Sequence, residues 1–319
     1  MTDGLKDAGE LFHAGELQIQ ARDGTAERTA VMAPLMIRDF MPDQHREFYH
    51  QLPFILIGAV DGLGQPWATA AFGPQGFITS PDPQTLVIGY QPLMVDALKL
   101  VLQPGAKIGL LGIEVQTRRR NRMNGHVVSV DQTGLTVHVE QSYGNCPQYI
   151  QRRDLQWRDA ASAGRAVMAK TQDKAVRRLI ERADTFYIAS RSAALTEDIK
   201  TGVDVSHRGG KPGFVHVGED GQLSFPDFTG NRMFNTLGNI QADQRVGLFF
   251  PNFDTGEAVF LTGQARIDWD SPRVAAFEGA ERIIDVVPER AVFVQDGLPI
   301  KGTFVDQWPM LEKTGEWPD

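Results

Sequence analysis

Two segments of the chain carry side chains suited to holding an anion. Ser206-His207-Arg208-Gly209-Gly210-Lys211 gathers a hydroxyl, an imidazole and two permanent cations in a glycine-rich stretch. It reads as a turn whose backbone N–H groups can point at a ligand, the mixture of charge and short donors that a phosphate monoester requires. Further on, Phe225-Pro226-Asp227-Phe228-Thr229-Gly230-Asn231-Arg232 offers aromatic and proline surfaces to a flat ring, with Asn231 and Arg232 as polar donors. The same residues also read as two surface loops rich in turn formers, and both readings stand at this point. Arg118-Arg119-Arg120-Asn121-Arg122 is a third basic run. It is either a solvated hairpin tip, a reach across a domain interface to an anion, or a nucleic-acid contact. The net charge of −8, from 40 acidic and 32 basic residues, opposes the last.

Several other chemistries are excluded. The chain has no His-Glu-x-x-His and no Cys-x-x-Cys, and its seven histidines do not cluster at metal-ligand spacing, so no metal site is expected. No Gly-x-Ser-x-Gly elbow occurs. After Gly210-Lys211 the hydroxyl of a Walker-type loop is replaced by Pro212, and no strand-linked Gly-x-Gly-x-x-Gly supports a Rossmann domain. The single cysteine, Cys146, cannot form an internal disulfide and reads as a packed structural thiol rather than a nucleophile. His207 either donates to a phosphate or faces water.

The elements that must position these residues come from a chain of 319 residues, 42% hydrophobic and 23% charged, which fits one large or two average globular domains. Its longest apolar run, Phe54 to Val60, is far short of the ~20 residues a membrane helix needs. The first 25 residues lack the basic start and apolar stretch of a secretory signal. A cytoplasmic protein with neither membrane nor nucleic acid as partner is expected. The chain repeats itself once: Gly76 recurs as Gly213 at an offset of 137, and Gly109 and Gly125 recur as Gly247 and Gly263 at 138. So long a period is a domain duplication rather than a solenoid. Within each copy, short β-branched and apolar runs such as Lys107 to Val115, Gly134 to Glu140, Arg245 to Phe250 and Glu257 to Asp268 read as strands. Asp61-Gly62 and Asp220-Gly221 supply turns, so antiparallel barrels or sandwiches are favoured over a parallel sheet. Helical spacing is limited to Met94, Ala97, Leu98 and Val101, and to Val176, Leu179, Ile180 and Ala183 behind a capping Asp173. Residues 1–40 lack strong periodicity and read as an arm or a disordered end. The alanine-rich residues 160–169 read as the inter-domain connection.

At these residues the chain resembles the pyridoxamine 5′-phosphate oxidase-like, FMN-binding split-barrel superfamily, and more narrowly its tandem two-barrel members. The resemblance runs from about Met41 to Asp270 and is carried by Asp204 to Phe214, Phe225 to Arg232 and Asn235-Thr236-Leu237-Gly238-Asn239-Ile240. In the first copy Thr117 to Gly125 and Tyr143 to Ile150 add to it, and Phe12-His13-Ala14-Gly15-Glu16 is similar to the family's amino-terminal arm. The resemblance implies a mainly β fold of two tandem FMN-binding split β-barrels: an arm (1–40), a first barrel with a degenerate site (41–160), a second barrel with the FMN site (161–302) and a tail (303–319). It implies a flavoprotein, an oxidoreductase that works with a small-molecule substrate or electron donor as a homodimer. The alternative is a non-catalytic flavin- or haem-binding storage or sensor protein. Cofactor contacts are implied for Ser206, His207, Arg208, Lys211, Phe225, Pro226, Asp227, Asn231, Arg232 and Asn239, with no catalytic residue identified. The first copy lacks an equivalent of Pro226 to Arg232, which implies one flavin per chain, its second wall coming from the first barrel or from another chain.

Overall fold

A computed structural model describes residues 7–132, 134–158 and 164–317. Strands β1 (Phe54–Val60), β2 (Pro66–Phe72), β3 (Ile78–Thr79), β4 (Thr85–Ile88), β5 (Lys107–Glu114), β6 (Arg119–Asp131) and β7 (Gly134–Asn145) form one sheet in the order β2-β1-β5-β6-β7-β4-β3. Strands β8 (Arg152–Trp157) and β9 (Arg165–Ala169) follow. Then β10 (Thr185–Arg191), β11 (Val203–Gly209), β12 (His216–Val217), β13 (Leu223–Phe228), β14 (Arg245–Pro251), β15 (Ala258–Asp268) and β16 (Ala280–Gln295) form a second sheet. Its order is β11-β10-β14-β15-β16-β13-β12, the first order with every number raised by nine, and β9 adds to β16. Strand β17 (Ile300–Asp306) turns back to pair with β8. The protein is therefore mainly β, built as two antiparallel barrel sheets of identical topology in tandem.

Each repeated glycine has a steric reason. Gly76 and Gly213 hold φ of +88° and +92°, a region that disfavours any Cβ. A Cβ on Gly109 would lie 2.3 Å from the Val203 carbonyl oxygen, and one on Gly247 would lie 2.2 Å from that of Pro66. The two barrels thus cross each other twice in the same way, β5 under β11 and β14 under β2, with backbone against backbone. Gly125 and Gly263 lie at register shifts in the β6–β7 and β15–β16 hairpins, where a Cβ would meet the carbonyl of His138 or Val287. Around the crossings Leu56, Leu110 and Trp67 of the first sheet and Tyr187, Val205, Phe249 and Phe260 of the second belong to one continuous apolar core.

Helices sit where the barrels leave apolar faces open. Lys174–Arg182 buries Val176, Leu179 and Ile180 as their spacing predicts, with Asp173 at its start. The Met94–Val101 pattern yields only one turn, Val95–Leu98, because Met94 and Lys99 both take the left-handed conformation. Residues 8–36 are ordered helix rather than a structureless end. The helix Ala14–Arg22 carries a capping box of His13 with Glu16, and its Gly15 crosses Gly238 of the helix Asn235–Ala242 at backbone contact. Residues 160–163 of the expected connection lie outside the described residues, whereas Arg165–Ala169 is a strand. No helix among the described residues is long and apolar enough to cross a membrane.

Candidate functional site

A cleft of about 90 Å³ opens where β6 of the first barrel faces β11, the end of β13 and the Gly230–Leu237 segment of the second. Successive side chains of a strand point to opposite faces, so residues two apart share one. Arg120 and Arg122 of β6 are such a pair, and both reach the cleft. Arg119, beside them in sequence, lies over the Phe48 ring instead. On the opposite wall Ser206, His207 and Arg208 come from β11. The Ser206–Gly209 stretch is strand rather than glycine-rich turn, because its backbone pairs with Thr185 to Ile188 of β10. This stretch therefore offers side chains to the cleft rather than a nest of N–H groups.

The cleft is rich in cations and short of acceptors. Arg122 donates to Asp204 Oδ1 at 2.9 Å and to the Ser206 hydroxyl. Asp204 is fixed in turn by Asn124 at 2.7 Å and Asn239 at 2.8 Å. Arg282 holds Asp227 at 2.8 Å, leaving Arg208 a looser 3.4 Å contact with the same carboxylate. Arg232 is taken up by Glu281 and Asp23. Arg120 has no carboxylate partner among the described residues: it donates to the Cys146 carbonyl at 2.7 Å and meets His207 Nδ1 at 3.3 Å. Burial and the charges of Arg122 and Arg208 hold its pKa down to about 10.

Burial, with Arg120 and Arg208 nearby, also pushes the His207 pKa well below the usual imidazole range, so the ring is neutral at physiological pH. A neutral imidazole accepts at one nitrogen and donates at the other. Arg120 occupies Nδ1 as a donor, which leaves the proton on Nε2. That Nε2 and the Nε of Arg208 are both buried without a hydrogen-bond partner. Unpaired buried donors are rare and point to a missing acceptor.

Six of the ten expected contacts converge on this cleft: Ser206, His207, Arg208, Asp227, Asn231 and Arg232. Pro226 lines an adjoining cavity of about 50 Å³ with Tyr149 and Phe228, whose rings stack at 5.1 Å. The other three do not reach it. Phe225 alternates with Pro226 along β13 and is wholly buried in the second core. Lys211 donates to the Thr314 carbonyl at 2.7 Å and ties down the carboxyl-terminal segment. Asn239 lies behind the cleft, bonded to Ser190, Asp204 and His13. Arg120 and Arg122, left among three readings by the sequence, are wall residues, and their two-residue spacing was the available signal. Cys146 is exposed rather than packed.

At the reciprocal crossing the matching positions are apolar. The strand pairings align Arg120 and Arg122 with Ala258 and Phe260, and His207 and Arg208 with Ala70 and Ala71. Phe260 there stacks on Phe249 at 4.6 Å between ring centres, and all four residues at these positions are buried. One crossing is charged and the other is filled with apolar side chains.

No family model and no curated protein matches the chain. Among solved structures it is similar to a variant of Group A Streptococcus HupZ, with 12% identity and a TM-score of 0.30 over 38% of this chain and 97% of that one. A candidate pyridoxamine 5′-phosphate oxidase from Lactobacillus delbrueckii gives 16% identity and a TM-score of 0.30 over 39% and 97%. The Klebsiella pneumoniae MrkH–c-di-GMP complex gives 13% and 0.22 over 79% and 83%.

Proposed function

We propose that the charged cleft binds FMN through its phosphate and that the protein is a flavin-dependent oxidoreductase acting on a small substrate. One observation carries this reading: Arg120 without a carboxylate, beside buried donors of Arg208 and His207 without acceptors. A compact anion with several acceptor oxygens satisfies all three at once. The closed part of the cleft, about 90 Å³, matches a phosphate group rather than a whole flavin, since cofactor-sized pockets run to ~300 Å³ or more. The ring is accordingly assigned to the open rim beside Pro226, Phe228 and Tyr149.

When bound, the flavin supplies hydride or electron transfer at its N5. The chain's own residues bind and orient. Arg120 and Arg208 supply charge, and neutral His207 donates from Nε2. Asp204 fixes the direction of Arg122, which in turn engages Ser206. Both walls of the phosphate cleft come from one chain, the second wall being supplied by the first barrel. The test is the visible spectrum of the purified protein and its response to anaerobic NAD(P)H. Flavin bands at one per chain that bleach on addition support the enzyme. A bound but inert flavin reduces the proposal to a carrier, and a colourless protein that ignores added FMN refutes it.

A further inference from the structure

A cavity larger than this cleft lies away from it, at the edge of the second barrel. It encloses about 460 Å³, within the ~300–1,000 Å³ range of small-molecule sites. Its wall joins the segment leading into β10, the turn after β14 and the two-stranded β8–β17 sheet. Arg153 of β8 donates one bond to Asp184 at 2.6 Å, and both side chains are largely buried. The Arg153 guanidinium lies 5.7 Å from the ring centre of Phe253 and 5.9 Å from that of Phe304. Its Nε and Nη1 make no hydrogen bond among the described residues. Phe304 is 52% exposed, so its ring face is open to the cavity. Leu179 and Pro212 add apolar wall. At the rim stand one cation and one anion, Arg182 and Asp254, neither with an ion-pair partner among the described residues.

We infer that this cavity is a second binding site, for an aromatic zwitterion of the amino-acid class. A flat ring fits between Phe304 and the apolar wall, in offset or edge contact with the Phe304 ring. With Arg153 and Asp184 cancelling each other, the lining offers one unmatched positive and one unmatched negative charge. A carboxylate meets the first, with the spare Arg153 donors at hand, and an ammonium meets the second. A simple anion or a simple cation would leave one rim charge unmatched.

Ligand-observed NMR on the full chain tests this with three probes: L-tryptophan, tryptamine and indole-3-propionate. The expected result is L-tryptophan binding at least fivefold tighter than either singly charged probe. Phe304→Ala should weaken it at least fivefold, and Arg182→Gln and Asp254→Asn severalfold each. Both charge variants lie on exposed side chains, so folding is not at issue, and FMN uptake should be unchanged in all three. No binding of L-tryptophan at 10 mM would overturn the inference. So would equal binding of all three probes, or affinity indifferent to the three substitutions.

Discussion

Replacing Arg120 by Gln should make the ligand-free protein more stable while weakening its affinity for a phosphate ligand. The side chain packs against Arg122, Arg208 and His207 with no carboxylate partner among the described residues, and its pKa falls to about 10 from the ordinary 12.5. At about 1.4 kcal/mol per pKa unit, that depression corresponds to about 3 kcal/mol of unfavourable charge. Water reaches part of the group, and screening cuts the figure to roughly 1–2 kcal/mol. Gln relieves that penalty but gives up the bond to the Cys146 carbonyl, so a net gain of about 1 kcal/mol is expected, a rise in Tm of a few degrees. Binding should move the opposite way, by about 1.5–3 kcal/mol, the usual loss for a hydrogen bond to a charged group. Thermal unfolding with and without FMN reads both effects in one experiment: the variant should melt higher alone and gain less from the same ligand concentration. A variant that melts lower than wild type and still gains the full ligand shift would show that Arg120 is structural. The electrostatic reasoning would then fail.

Arg208→Ala should weaken FMN binding about tenfold or more, whereas Arg232→Ala, already committed to Glu281 and Asp23, should lower Tm with little effect on a fluorescence titration. Gly247→Ala places a Cβ 2.2 Å from the Pro66 carbonyl oxygen and should cost about 1–3 kcal/mol in urea unfolding; an unchanged midpoint would show that the barrels do not cross there. Glu16 is buried and its pKa is raised well above the usual carboxyl range, by burial first and Asp204 second. Its proton-linked stability is therefore present in acid and lost as pH rises toward the raised value. Glu16→Gln should match wild type near pH 4 and melt increasingly higher than it toward pH 8; a constant difference across that range would contradict the account.

Much of this was readable from residue order because the constraints are local or repeated. Gly109 and Gly247 are glycine because a strand of the other barrel passes over each, and that shared reason is what the offset of 138 detected. The helix at 174–182 was readable because its apolar stripe and its burial coincide. What could not be read was which side of a strand faces the cleft. Phe225 and Pro226 are adjacent in sequence and opposite in the sheet, and the glycines after Arg208 conceal that Ser206–Gly209 pairs with β10 as a strand. Lys211 and Asn239 were misplaced for another reason. Their partners, Thr314 and His13, lie at the far ends of the chain, and no spacing rule reaches that distance. Strand β16 is hard to read in the sequence because Pro288 and its charged neighbours interrupt the apolar pattern at a bulge.

The claim at the centre is that side chains from both barrels of one chain grip a phosphate. Equilibrium titration of the monomer-resolved protein with FMN and with riboflavin tests it most directly, since the two ligands differ only in that group. The account predicts one FMN per chain, bound at least a hundredfold more tightly than riboflavin, with inorganic phosphate competing. Equal affinities, or one FMN for every two chains, would contradict it.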